Sequence, residues 1–448
     1  MTGIMPRREE PSWRTAGSAS ATASIDCGDV PPPDTTRKRV LNSRPKTFIL
    51  LVFVSFLAAF AGERLADSLP GTDFPDFYCA ARMLAEGHGR QLYDAAVQRQ
   101  YQARYAGRVG TLYIHPPFEA VLYVAVVWLP LRRAYLLWSL LSLAFLVAGV
   151  RRLANEALLP WDWRLGLAAS LTFVPALLCF VQGQDSLLLL LLVVLAFTAL
   201  RRGRAFAAGC WLGLGLFKFQ LVLPLLLVLV LIRGRSSRTG LAKGFGLVAL
   251  ALAGLSAAIS GWTVFTAYPR FLAHLPTQPF AGITPQVMSN FRGLTYFFFH
   301  RDQSPWAIAA VSILSVAALI KTLTYWQHAR LATHPGPVAA RRDKFDLAFA
   351  NTVLFALLVS YHLNPHDLSL LLLPMVLVLR DTAGTTLTNS SRRLIIALSA
   401  VLFLPPLHLL ALRAHAYALV SIPLIALFAV STFWGAEKTR KAGSALLS

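Results

Sequence analysis

The sequence predicts an all-α, polytopic membrane protein of about 11–13 membrane helices, and three observations carry that expectation. Of 448 residues, 56% are hydrophobic and only 14% charged, whereas a soluble domain is about 25% charged. Apolar runs long enough for a bilayer, which takes about 20 residues per helix, recur from residue 47 to residue 434. The basic residues gather in the short loops between those runs, as in RRGR from Arg201 and RGRSSR from Arg233. The net charge of +21 is then the signature of positive cytoplasmic loops, and no DNA- or RNA-binding motif accompanies it. A Rossmann enzyme, a β-barrel and a secreted disulfide scaffold are excluded. The four cysteines, Cys27, Cys79, Cys179 and Cys210, have no metal-ligand spacing and read as packing residues.

Taken in order, residues 1–45 are rich in Ser, Thr, Pro and charge and predict a disordered cytoplasmic tail. The membrane domain spans 46–434, and 435–448 form a second cytoplasmic tail. The apolar run 48–61 reads as a retained signal anchor. The polar segment 63–115 contains two short surface helices, 77–85 and 95–105. Further spans are expected at 133–150, 164–181, 185–200, 204–218, 220–233, 241–260, 305–326, 345–361, 366–380, 393–411 and 414–434, with 262–304 a polar loop. The segment 117–131 is short and ends in LPLRR. If it is re-entrant or tilted and does not cross, nearly every Lys/Arg-rich loop falls in the cytoplasm. The same parity brings Asp73, the QGQD turn, Lys218, the NFRGL string and the HLNPHD turn to one extracytoplasmic face of the plasma (inner) membrane. Charges at the ends of apolar helices mark a substrate site, because burying them without a role is costly.

Each of these residues has a chemical and a bland reading. Asp73 and Asp76 in GTDFPDF offer a carboxylate general base, or a turn cap and a helix opening; the bland reading is retained for Asp76. Lys218 in GLGLFKFQLVLP has no acid near it in sequence. At the turn of a helical hairpin it either holds a lipid phosphate or snorkels to the interface. Asp185 is a substrate contact or the N-cap of the helix that follows. His362, His366 and Asp367 flank a Pro-broken turn. The pair with its adjacent acid offers a weak metal site, Pro365 disfavouring the alignment it would need, with phosphate or sugar recognition an equal reading and solvated histidines the bland one. Arg292 in SNFRGL is a phosphate candidate or an exposed loop arginine. His115, in HPPF, reads mainly as a helix-opening signal with proline in the first turn.

Six strings in order, DFPDFYCAARMLAEGHGRQLYD, YIHPPFEAVLYVAVVWLP, QGQDSLLLLLLVVLAF, AAGCWLGLGLFKFQLVLPLLL, MSNFRGL and YHLNPHDLSLLLLP, resemble the family 87 glycosyltransferases, polytopic enzymes of the GT-C class. The resemblance spans residues 73–374. It implies a GT-C-like fold with a catalytic first extracytoplasmic loop, a polyprenyl-monophosphate sugar as donor, and a lipid or glycan acceptor. The reaction it implies is an inverting hexosyl transfer of the mannosyltransferase kind, with the catalytic aspartate matching Asp73 and the lysine after the glycine-rich helix matching Lys218. The strings also supply Tyr78 and Gln184 as substrate-binding candidates beside Asp185. The second acid, Asp76, departs from the simple pattern. No cofactor is certain beyond the donor substrate, and a divalent metal stays open without support from any spacing. Membrane lipids and the two substrates are the expected partners, and nucleic acid is not among them. A transporter or flippase for a lipid-linked sugar, or a non-catalytic membrane scaffold, would use similar residues without the chemistry; no internal repeat of the transporter kind is visible.

Overall fold

The computed structural model describes residues 72–444 except 108, 157, 160–161, 276–282, 301–303, 332–337 and 383–388. The expected tail 1–45 and anchor 48–61 lie outside the described residues. All regular structure among the described residues is helical.

The polar segment folds as expected into two short helices, α1 (Phe74–Ala85) and α2 (Ala95–Ala106). Asp94 caps α2 by accepting from the Ala96 and Val97 amides, which satisfies two of the open donors of a helix start. Pro116 and Pro117 open α3 (Pro117–Val124), where a missing N–H costs nothing. These helices bury a small aromatic core of their own, in which the Phe77 and Tyr123 rings stack at 4.8 Å and Tyr123 packs on Trp138 at 4.1 Å. The Tyr78 hydroxyl donates to the carbonyls of Leu129, at 2.8 Å, and Val127. The stretch after α3 is thereby tied back to α1, so 117–131 leaves and returns at the same end of the molecule.

The main bundle starts with α4 (Leu131–Asn155). Next come α5 (Trp163–Thr172) and α6 (Val174–Gln182), bent by 70° at Phe173, where Pro175 removes a helix donor. Then follow α7 (Ser186–Arg201), α8 (Ala205–Leu214), a 3-10 turn at Gly215–Lys218, α9 (Phe219–Ile232) and α10 (Arg235–Ser260). The segment 262–304 is not a plain loop but carries α11 (Val264–His274) and α12 (Phe291–Phe299). The chain ends with α13 (Pro305–Leu331), α14 (Val338–Val359), a 3-10 stretch Pro365–Leu371, α15 (Leu372–Thr382), α16 (Asn389–Phe403), α17 (Pro405–Arg413) and α18 (Ser421–Ser444). α16 and α17 are bent by 52°. Among the described residues four apolar stretches have the length and composition to cross a bilayer, counting Ala205–Ile232 as one unbroken run, and six do if each bent pair is one span. Most of the other expected spans are helices too short to qualify on length alone, α7 among them.

The 28-residue stretch Ala205–Ile232 is not straight. A straight α-helix of that length would separate its ends by about 40 Å. Yet Gly240, eight positions past Ile232, lies against Ala205, with its Cβ position 3.4 Å from the alanine Cβ; eight residues reach at most about 28 Å. The chain therefore doubles back at Lys218, whose own backbone (φ −115°, ψ 58°) is not helical. α8 and α10 then run side by side in the same direction, on a seam of small residues. A Cβ at Gly209 would overlap the Leu241 carbonyl, and one at Gly244 the Phe206 carbonyl. Small residues let helix backbones approach this closely in a membrane.

Two ends of the bundle are distinguishable. At one, Arg201 and Arg380 both reach Asp346 at 2.9 Å, and Arg201 also reaches Glu156 at 3.5 Å; this cluster joins α4, α7, α14 and α15. At the other lie α1–α3, the 183–185 turn, Lys218 and residues 360–367. Trp128, Trp262, Phe298 and Trp306 are exposed at this second end, as expected of rings that settle at a membrane–water interface. The seam predicts that Gly244→Val lowers the melting temperature in detergent markedly, overpacking costing about 1–3 kcal/mol or more. Gly246→Val on the same helix, where a Cβ meets nothing within 4 Å, should melt as wild type; equal melting of the two variants would refute the seam.

Candidate active site

The site is assembled from turns between helices. Asn364 and Asp367 form a capping box that opens the 3-10 stretch after α14; the Asn364 amide donates to Asp367 Oδ2 at 2.9 Å. Ser186, at the start of α7, donates to Asp367 Oδ1 at 2.8 Å. Into this corner the hairpin turn inserts Lys218. Its Nζ lies 2.9 Å from Asp367 Oδ1 and 3.3 Å from Asp185 Oδ1, and donates to Gln184 Oε1 at 3.4 Å. Lys218 is 2% exposed and Asp185 and Asp367 are each 1% exposed. The acids absent from the neighbouring sequence are thus supplied by two distant turns. The ammonium does not snorkel to an interface, because its own carboxylates hold it inside the protein. Asp185 occupies the N-cap position of α7 but makes no side-chain cap hydrogen bond; its carboxylate faces Lys218 instead.

Gln184 carries the arrangement outward. It donates from Nε2 to Asp73 Oδ2 at 2.7 Å, while the Asp73 amide donates to Gln182 Oε1 at 3.1 Å. The close approach of these two segments needs a glycine between the glutamines. Gly183 has φ +66°, and a Cβ there would lie 2.6 Å from that of Phe74. Asp73 stands at the N-cap of α1 yet makes no cap hydrogen bond, so its carboxylate is committed to Gln184 and the space beyond. Burial raises its pKa above the ordinary carboxylate value, and the Gln184 hydrogen bond opposes that rise.

Asp76 is neither a cap nor a free base. It accepts from Gln102 Nε2 at 2.9 Å and from the Thr111 hydroxyl, fastening α1 to α2 and to the connection before α3. A small polar pocket opens between Asp73, Thr111, His115, Gln184, His362 and Asn364, with Asp76 and Phe77 also on its wall. Among the described residues the buried Nδ1 of His362 has no hydrogen-bond partner. His366 is 3% exposed, not solvated, with its Nε2 3.7 Å from Asp367. Arg292 is 7% exposed, not a loop arginine: it lies in α12, donates to the Tyr361 carbonyl at 3.0 Å and sits 4.1 Å from the centre of the Tyr361 ring. The SNFRGL string holds it there, since Asn290 caps α12 and donates to the Ser360 carbonyl at 2.7 Å. Tyr78 lies in the aromatic core beneath, bonded to backbone, and not on the pocket wall.

Two residues of the site escaped the sequence reading. His115, read as part of a helix start, lines the pocket, and its Nδ1 is 3.0 Å from Oε1 of Glu119, which has no exposed surface. The spacing of four across the first turn of α3 was the available signal. Burial pushes the His115 pKa down to about 4, against the pull of the surrounding carboxylates. Among the described residues no group of three His, Cys, Asp or Glu is arranged to hold a metal ion.

No curated protein and no solved structure matches the chain. The family model of glycosyltransferase family 87 matches residues 113–360, a stretch that takes in His115, Glu119, Gln184, Asp185, Lys218 and Arg292. With more than half its length matched and the candidate carboxylates and basic groups gathered at one end of an all-helical apolar bundle, the chain belongs to glycosyltransferase family 87.

Proposed function

We propose that this glycosyltransferase moves a hexose, mannose being the first candidate, from a polyprenyl-monophosphate donor to a lipid or glycan acceptor on the extracytoplasmic face of the plasma membrane. The observation that carries the reading is Asp73. A carboxylate held from one side by Gln184 faces a pocket walled by imidazoles and amides, at the end of the bundle that carries exposed aromatic side chains. A donor with its tail in lipid and its head in water meets an acceptor at that depth. Asp73 takes the proton of the acceptor hydroxyl as its oxygen attacks the anomeric carbon, and the phosphate leaves from the opposite face with inversion. Burial of Asp73 favours this role, because a base of raised proton affinity withdraws a hydroxyl proton more readily.

Lys218 serves in this reading as the organiser of the corner and not as the phosphate ligand, since two buried carboxylates already claim its charge. The phosphate falls to Arg292 and His362, with His366 behind them. The alternating helices then cross the membrane in turn, with α3 dipping in and out on the outer side. The cluster of Arg201, Arg380, Glu156 and Asp346 lies on the cytoplasmic side, with the basic short loops.

Asp73→Asn should keep the fold and lose transfer by about 100-fold or more. Wild-type activity should fall on the acid side at a pH above the usual carboxylate range, because the base must be deprotonated. Purified protein incubated with labelled polyprenyl-phosphate sugars and a lipid extract reads both, and an active Asp73→Asn removes the mechanism. Lys218→Met should reduce folded yield severely, stranding two buried carboxylates at about 3–5 kcal/mol, whereas Arg292→Gln should fold and raise the donor KM. A well-folded Lys218→Met with weakened donor binding would return the phosphate to Lys218. Finally, a cysteine replacing exposed Ala96 should react with an impermeant thiol reagent on intact cells and one replacing exposed Ser236 should not; the reverse pattern would invert the topology.

A further inference from the structure

We infer that the bundle carries a second binding site, a groove that holds one anionic phospholipid, with its hydrocarbon between the helices and its phosphate on arginines at the end away from the Asp73 pocket. The inference does not depend on the transfer reaction and stands or falls on lipid binding alone.

The groove is a cavity of about 390 Å³ walled by α4, α5, α7, α15 and α16. Its lining is apolar except for Ser170 and Ser399, and Ser170 spends its hydroxyl on the Gly166 carbonyl of its own helix. Gly149, Gly166, Ala169 and Ala400 give the groove its depth, since a larger side chain at any of them would occupy the space. Along α15 it extends from Leu372 to Leu379, about 10 Å at the rise of an α-helix. Two bends shape one rim: α5 turns into α6 at Phe173 and α16 into α17 at Leu404, and the rings of Phe173 and Phe403 stack there at 5.4 Å. A hollow of this size does not stay empty in a bilayer. Even a cavity of about 150 Å³ lined by aliphatic and aromatic side chains excludes water and takes up a small hydrocarbon.

The charge at the other rim selects the lipid. Arg151 follows the lining residue Val150, Arg164 lies two positions before Gly166, and Arg392 and Arg393 lie about one turn before Ile396. All four are exposed. Arg151 and Arg164 both stand over the Trp163 ring, at 4.9 and 5.6 Å, which places two guanidinium groups on one aromatic side chain. Among the described residues none of the four takes part in an ion pair, whereas the neighbouring Arg152, Arg201, Arg202 and Arg380 are matched by Glu156, Asp343 and Asp346. Asp162, the nearest acid to Arg164 in sequence, accepts the Arg164 amide at 2.8 Å. Basic groups at the end of a cleft between membrane helices make a headgroup site, and guanidinium suits phosphate in particular. A zwitterionic headgroup would bring a second cation to the same arginines; a phosphate with an uncharged substituent, such as a glycerol ester, brings none. The leaflet concerned is the cytoplasmic one in the topology proposed above. The polyprenyl donor is not the occupant, because its phosphate belongs at the Asp73 end.

The test uses the purified full-length chain in detergent, supplied with phosphatidylglycerol, phosphatidylcholine of the same acyl chains, or inorganic phosphate. Native mass spectrometry should retain one phosphatidylglycerol per chain, and that lipid should raise the melting temperature. Phosphatidylcholine at the same concentration, and inorganic phosphate, should do neither. The double variant Arg392→Gln, Arg393→Gln should melt as wild type without lipid and bind phosphatidylglycerol about 25-fold more weakly, at about fivefold per arginine. Ala400→Phe, which fills the groove and leaves every arginine in place, should lose the retained lipid. A photoreactive side chain in place of Leu404, on the groove wall, should label phosphatidylglycerol. Equal retention of the two lipids, a melting shift produced by inorganic phosphate alone, or unaltered phosphatidylglycerol affinity in the arginine variant overturns the site. So does a photo-crosslink from position 404 to residues 48–61 of the same chain or to a second copy, because the groove would then be covered by protein.

Discussion

One buried ammonium organises this protein's polar end. Lys218 sits in a turn with essentially no solvent exposure, where an unpaired charge would be prohibitively costly. Two carboxylates must therefore converge on it, and each comes from a different turn: Asp185 from the break between α6 and α7, Asp367 from the capped 3-10 stretch after α14. Gln184, one residue from Asp185, is thereby held at the right height to bind Asp73. The depth of the hairpin turn, the tilt of α7 and the position of the candidate base are consequences of the same electrostatic requirement.

The far end of the bundle answers a different demand. There Asp346 accepts two arginines and Glu156 a contact from one of them, so four helices are fastened to one another. Between the ends the core is almost wholly apolar, and the α8–α10 seam brings backbones together through glycine. Fastening at both ends keeps the turns that build the site in fixed register, although those turns lie far apart in sequence.

What the sequence revealed, and what it hid, divides along that line. Apolar runs and basic loops disclosed the helical class, both short surface helices and the turn at Lys218, because hydropathy and loop charge are local properties. Asp73, Gln184 and His362 could be picked out as polar interruptions, and the structure brings them to one pocket. The partners of Lys218 could not be read, since the nearest of them is 33 positions away. The solvated readings of His366 and Arg292 failed because tertiary packing covers both. Glu119 was invisible for a further reason: in an apolar run opened by two prolines, a glutamate resembles the favourable acid of a helix start, and only burial against His115 distinguishes it. The helices inside 262–304 were missed because short amphipathic segments lack the length that marks a span.

The exposed aromatic side chains at the site's end, Trp128, Trp262, Phe298 and Trp306, bear on how such a molecule meets its substrates. Indole and phenyl groups set the height at which a protein floats in a bilayer, and the polar pocket floats with them. Reactants carried by lipid tails arrive there by sliding within a sheet two molecules thick. Their effective concentration is then a mole fraction of the surrounding lipid. Adding inert lipid at constant total substrate dilutes the reaction, while adding buffer leaves it unchanged.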